Sequence, residues 1–177
     1  MKDIVQLALD AAHSAGAAYA DARVVQSREE RISVRTGRVE AVGSGESVGV
    51  GIRVTAEGAW GFAATSDLTP GGIGAAAFRA VALARASATT ATAPVSLAPV
   101  APAADRWSGP CVIDPFSVSL EDKLALLFEA DAVLRAEPAV RISSSQMNFL
   151  HVDKCFGSTE GALIEQSYTE SDRKSVV

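Results

Sequence analysis

The sequence is poor in the residue types that build most chemical centres. Its cysteines are Cys111 and Cys155 alone, too few for a disulfide framework and without a Cys-x-x-Cys pair, which suits a reducing cytoplasm. The histidines are His13 and His151, and no His-Glu-x-x-His helix is present, so a zincin-type site is excluded. Aromatic residues make up 6% of the 177 residues and much of the apolar content is alanine, so the core is expected to rest on Val, Ile, Leu, Phe and Trp. There is no dense Lys/Arg run, and the net charge of −5 argues against a nucleic-acid partner. Arg31, Arg35 and Arg38 are interleaved with Glu29, Glu30 and Glu40, which reads as a solvated hairpin surface. No apolar run is long enough to span a bilayer, and the first segment lacks the basic-then-apolar pattern of a secretion signal. A soluble, cytoplasmic chain is the expectation.

What is present is a change of hydrophobic period along the chain. Ile4, Leu7, Ala8, Ala11 and Ala12 fall on one helical face before a stop at Gly16. Alternation then takes over. Ala22 to Gln26 and Arg31 to Arg35 read as strands, and Thr36-Gly37 separates the second from Arg38 to Val42 as a hairpin. In Ser47 to Val54, the residues Val48, Val50, Ile52 and Val54 point one way. Gly49 and Gly51 leave a bare patch on the other face. Ala56-Glu57-Gly58 turns the chain into Ala59 to Ala63, where Trp60 and Phe62 share a face.

Thr69-Pro70 opens an alanine-rich helix carrying Phe78, Val81, Leu83 and Arg85. Residues 87–110, rich in Ala, Pro and Thr, read as a linker or extended arm. Ser119, as a cap with Asp122 three residues on, opens a helix to Ala136. Leu120, Leu124, Leu127 and Leu134 form its apolar stripe, and Glu121, Lys123, Glu129 and Arg135 decorate its other faces. Val140 to Val152 reads as a strand, with more strand around a turn at Thr159-Glu160-Gly161.

Clustered strands predict an α+β fold with an antiparallel meander and flanking helices, followed by a helix-plus-strands unit that looks incomplete. The expected organisation is a domain over 1–86, a linker or arm over 87–110, and the start of a truncated region over 111–171. Residues 172–177 are expected to be a non-native tail. Their codons can match a sequencing-adapter read, and genomic DNA across the junction tests this.

The search for chemistry assigns no catalytic, cofactor-binding or metal-ligating residue. His151-x-x-x-Cys155 has ligand types but no two further partners. Gly43-x-Gly45 and Gly49-x-Gly51 lie before and inside a strand, where a dinucleotide fingerprint needs them between strand and helix. Ser143, Ser144 and Ser145 lack a nucleophile-elbow context and read as surface strand positions.

Several segments nevertheless resemble the TldD/PmbA family. They are Tyr19-x-Asp21, the hairpin Ile32 to Val42, Ser47 to Val54, Gly58 to Ala63, Asp114-Pro115 with Ser119 to Leu124, and Ser158 to Leu163. The resemblance covers the chain to about Gln166, on order and spacing, and the later segments are more similar to the TldD branch. It implies the amino-terminal, non-catalytic part of a zinc metallopeptidase acting on peptides or unfolded chains. The zinc motif, His-Glu-x-x-x-His with a further cysteine, would lie in a missing carboxy-terminal region, so zinc belongs to the parent and not to this chain. Implied partners are a TldD/PmbA-type chain in a homo- or hetero-oligomer and a peptide substrate, with neither nucleic acid nor membrane. The alternatives are a PmbA-type non-catalytic partner subunit and a stand-alone α+β interaction domain. Truncation predicts aggregation, because the strands after Val140 would pair with missing sequence.

Overall fold

The computed structural model describes residues 1–177. The change of period becomes helix α1 (Lys2–Ser14) followed by three long or adjacent strands, β1 (Tyr19–Arg35), β2 (Arg38–Ala56) and β3 (Ala59–Thr65). Helix α2 (Pro70–Ala88), strand β4 (Ala104–Ser108), helix α3 (Leu120–Arg135), and strands β5 (Ser144–Ser158) and β6 (Leu163–Val176) complete the order. The fold is α+β, with a six-stranded, mostly antiparallel sheet in the order β3-β2-β1-β5-β6-β4. Strands β2 and β3 pair antiparallel from Val50↔Thr65 to Ala56↔Ala59, whereas β4 pairs parallel with β6.

Both tight turns place glycine at their second central position, where a left-handed backbone is needed. Thr36 and Gly37 have φ of 46° and 74°, and Glu57 and Gly58 have 52° and 77°. Left-handed backbone at both central residues matches the twist of the flanking strands. Thr36 is β-branched and disfavours that region, so the turn needs anchoring. The Thr36 N–H donates to Ser143 O at 2.9 Å.

The expected break between Gln26 and Arg31 is absent, and β1 runs through the polar stretch. The backbone groups there must be paired, and the sheet pairs them. The cross-strand pair Arg28–Glu46 (3.8 Å) suits the stretch to the ladder. Part of the sequence read as linker forms β4, at a sheet edge. The strands after Val140 find partners within the chain, because β5 lies between β1 and β6. The expected lack of partners is thereby corrected. Residues 172–176 continue β6.

The chain divides into two compact units made of discontinuous segments. The first comprises Met1–Gln26, Ser47–Ser108 and Asp153–Ser167; the second comprises Ser27–Glu46, Gly109–Val152 and Tyr168–Val177. In the first unit, α1 buries Val5, Ala8, Leu9 and Ala12, and Ile4, Leu7 and Ala11 are partly buried at the margin. Val5 and Leu9 pack over Gly157, which has no side chain to obstruct them. A Cβ at Gly157 would come within 2.6 Å of Val5 Cγ1.

Helix α2 starts at Thr69, whose side chain accepts from Gly72 N–H, with Pro70 in its first turn, as its sequence predicts. Its buried face is Ile73, Ala76, Ala77, Ala80, Val81 and Ala84, while Phe78 and Leu83 are exposed. The small face lets the helix press onto β3 at Gly61, where a Cβ would overlap Ala80 O and Ala84 N. Val, Ile and Leu carry much of the core, as expected, and α2 adds four alanines to Ile73 and Val81 on its buried face.

In the second unit, Ile32, Val34, Leu127, Met147 and Phe149 form the buried apolar cluster. Ser119 caps α3 through Asp122 N–H, as expected. The buried face of α3 is Lys123, Leu127 and Asp131 at four-residue spacing, while Leu120, Leu126 and Val133 are exposed. Of the expected leucine stripe, Leu127 is buried, Leu124 and Leu134 are half-buried and Leu120 is exposed. Lys123 is 3% exposed because it donates to Glu30 Oε1 and Oε2 (3.1 and 2.9 Å) and lies over the Phe149 ring. Paired and hydrogen-bonded, a buried charge is tolerated.

Candidate functional site

The alternation that buries Ala20, Ala22 and Val24 puts Tyr19, Asp21 and Arg23 on the opposite face of β1. On β2 the same rule buries Val50, Ile52 and Val54 and leaves Gly49, Gly51 and Arg53 opposite. On β3 it adds Trp60 and Phe62. The helices of this unit pack on the other face. The result is an open groove of about 730 Å³ lined by Asp21, Arg23, Gly49, Gly51, Arg53 and Phe62 among others. Gly49 and Gly51 make the bare patch that their spacing predicts. Phe62 shields part of it, since a Cβ at Gly51 would sit 3.2 Å from the Phe62 ring.

A polar network stiffens one side of this groove. Arg53 Nη2 and Nε lie 2.7 and 2.8 Å from Asp21 Oδ2, and the Tyr19 hydroxyl donates to the same oxygen at 3.1 Å. The Arg53 guanidinium lies 4.7 Å from the Trp60 ring centroid, and Tyr19 meets Trp60 edge-on at 6.0 Å. Burial first, and then the Asp21 carboxylate, push the Tyr19 phenol above its ordinary range. The hydrogen bond to Asp21 raises the Arg53 guanidinium further above its already high value. Both groups hold their protons through neutral pH, and their contacts with Asp21 fix all three side chains in place. Arg23 stands apart from it, 5.5 Å from the centroid of Phe156.

The other sequence candidates lie elsewhere. His13 is exposed near the end of α1. His151 shares a hydrogen bond with Thr169 Oγ1 at 2.9 Å through Nδ1. Cys155 is fully buried in the first unit's core, where burial pushes its thiol up and nearby Glu165 adds to this. No group of three or more His, Cys, Asp and Glu side chains lies within reach of a common metal ion. The donors present therefore do not fit a zinc ion. Gly43 and Gly45 lie inside β2.

Ser143 and Ser145 are buried, which corrects their reading as surface positions. Ser143 donates to Asp131 Oδ1, and Ser145 and Ser175 share a hydrogen bond at 2.9 Å. Serine is buried here because each hydroxyl has a partner. The hairpin arginines are surface groups as expected. Arg35 pairs with Glu40 at 3.3 Å, and Arg31 donates to Asn148 Oδ1 at 2.9 Å. Sequence reasoning found the glycine floor and Tyr19-x-Asp21 but missed Arg23, Arg53 and Phe156. The signal for the two arginines was their alternation with buried Ala22, Val24, Ile52 and Val54. Nothing in the sequence brings Phe156 to Arg23.

Residues 20–88 match the family model described as PmbA/TldA metallopeptidase domain 1. A metalloprotease of Methanothermobacter thermautotrophicus is 28% identical over 151 residues, and one of Synechocystis is 30% identical over 159 residues. These matches cover 85% and 86% of the chain but 32% of each relative, so the chain spans about a third of the length of its curated relatives. A proposed modulator of DNA gyrase from Bacteroides thetaiotaomicron superposes with a TM-score of 0.75 at 16% identity, over 98% of this chain and 40% of that one. TldE from Thermococcus kodakarensis superposes at 0.70 and 13% identity, over 97% and 37%. At such identities these two structures share the fold.

Proposed function

We propose, on the premise that this chain belongs to the PmbA/TldD family, that it is the amino-terminal, non-catalytic part of a metallopeptidase, supplying scaffold and one wall of a peptide cleft. The observation that carries this reading is the open sheet face floored by Gly49 and Gly51 and rimmed by Phe62 and two arginines. Backbone without side chains admits an extended polypeptide closely, and an exposed aromatic supplies apolar contact. The parent would hold its zinc outside this chain, since the donors here do not fit one. Cytoplasmic peptides or unfolded chains are the substrate class, and a second TldD/PmbA-type chain is the assembly partner. Substrate would be positioned here and cut elsewhere.

The test uses fluorescence anisotropy of a short labelled, unstructured peptide with this chain and with Gly51→Val. The valine fills the floor and displaces Phe62, and should weaken binding at least about tenfold while the circular dichroism spectrum is retained. Absent binding, or equal binding by a folded Gly51→Val variant, refutes the cleft. Cleavage of a quenched fluorescent peptide by this chain with added zinc refutes the non-catalytic role.

A further inference from the structure

The charged groups of the groove are not balanced. Its lining holds two arginines, Arg23 and Arg53, against one carboxylate, Asp21. Asp21 is committed to Arg53 and Tyr19 through the contacts described above. Arg23 has no carboxylate within ion-pair distance, and its contact is the face of Phe156. A guanidinium stacked on an aromatic ring keeps its N–H edge for another partner. That edge, with its fork of donors, matches a carboxylate in a bidentate geometry. Phe62, 58% exposed, stands across the glycine floor two strands away, about 10 Å by strand spacing. The groove thus carries local positive charge in a chain whose net charge is −5.

We infer that this groove selects an extended peptide bearing an acidic side chain beside an apolar one, with Arg23 taking the carboxylate and Phe62 the apolar group. The inference rests on the peptide-cleft reading above and adds the chemistry of the peptide and the residue that reads it. The occupant is polypeptide and not nucleic acid, because one free arginine on an acidic chain cannot neutralise a run of phosphates.

The experiment compares three short fluorescein-labelled peptides identical except for Glu, Gln or Lys beside a single Leu. They are titrated by anisotropy against the wild-type chain and the Arg23→Gln, Arg23→Lys and Arg141→Gln variants. The wild type should bind the Glu peptide about three- to tenfold more tightly than the Gln peptide, as expected for one semi-exposed charge-assisted contact, and added salt should narrow the gap. Arg23→Gln should abolish that preference, and Arg23→Lys should restore part of it. Arg141→Gln removes the same charge from an exposed position elsewhere and should preserve the preference. Equal binding of the Glu and Gln peptides by wild type, or a preference that survives Arg23→Gln, overturns the inference and leaves the cleft intact. Failure of all three peptides to bind overturns both. Tighter binding of a labelled single-stranded oligonucleotide than of the Glu peptide overturns the choice of occupant.

Discussion

Replacing Asp131 should uncouple α3 from the β1–β2 turn. Asp131 is fully buried. Its Oδ1 accepts from the buried Ser143 hydroxyl, its Oδ2 from Arg135 Nε at 2.8 Å, and the carboxylate also accepts from the Gly37 N–H. Ser143 O in turn holds the Thr36 N–H, so one acid organises the left-handed Thr36–Gly37 turn from both sides. Burial pushes the Asp131 pKa up, but the bonds from Ser143 and Arg135, the Arg135 charge and the Gly37 N–H outweigh it. The carboxyl is held below the ordinary aspartate range.

A buried hydrogen bond to a charged group contributes about 1.5–3 kcal/mol, and each orphaned buried donor costs about 1–3 kcal/mol. The Arg135 arm is half-exposed and spans one helical turn, so it adds only about 0.3–0.5 kcal/mol. Asp131→Ala should therefore destabilise the second unit by about 3–5 kcal/mol, and Asp131→Asn by about 2 kcal/mol, since it keeps an acceptor and loses the charge. A folded-state pKa below the unfolded value near 3.9 stabilises the fold above that value and ceases to do so as pH falls through the folded value. The gap between wild type and Asp131→Asn should be full at pH 7 and close in acid below the ordinary aspartate range. Hydrogen exchange of α3 and turn amides, with urea unfolding by far-ultraviolet circular dichroism, measures both. An Asp131→Asn gap that is the same at pH 7 and in acid would refute the charge argument. Unchanged exchange at Gly37 in Asp131→Ala would refute the coupling to the turn.

Two further outcomes follow from packing. Gly61→Val should lower stability by about 1–3 kcal/mol or more, because its Cβ collides with the α2 backbone at Ala80 and Ala84; thermal unfolding reads this. Cys155, buried and with its thiol pKa raised, should resist iodoacetamide at neutral pH until the chain unfolds, whereas exposed Cys111 should alkylate in the native state. Mass spectrometry of each cysteine peptide separates the two.

Features governed by neighbouring residues were the most legible. The caps at Thr69 and Ser119, both left-handed turns and the period-2 faces of β2 and β3 follow from local rules. Features governed by distant partners were not. Lys123 read as decoration, and Asp131 went unremarked, because their burial depends on Glu30 and Ser143, remote in sequence or outside the helix. The serines read as surface for the same reason. Strand β4 escaped because its pairing with β6 is parallel and spans a long connection, with no turn residue to announce it. At the groove, the glycine floor was visible from spacing alone. The Arg23–Phe156 contact is a tertiary meeting between β1 and β5, and only the folded chain reveals it.

The alanine face of α2 has a consequence for how this sequence can drift. A core built of large side chains tolerates exchange among Leu, Ile and Met, because volume can be traded between neighbours. Ala80 and Ala84, pressed against Gly61, have no volume to trade. Enlargement at either of them lifts the helix, whereas truncation removes a single methyl. Substitution at these positions is therefore confined to the smallest side chains, while Phe78 and Leu83 beside them are free to vary. Related sequences should keep small side chains at Ala80 and Ala84 while the exposed positions of Phe78 and Leu83 vary.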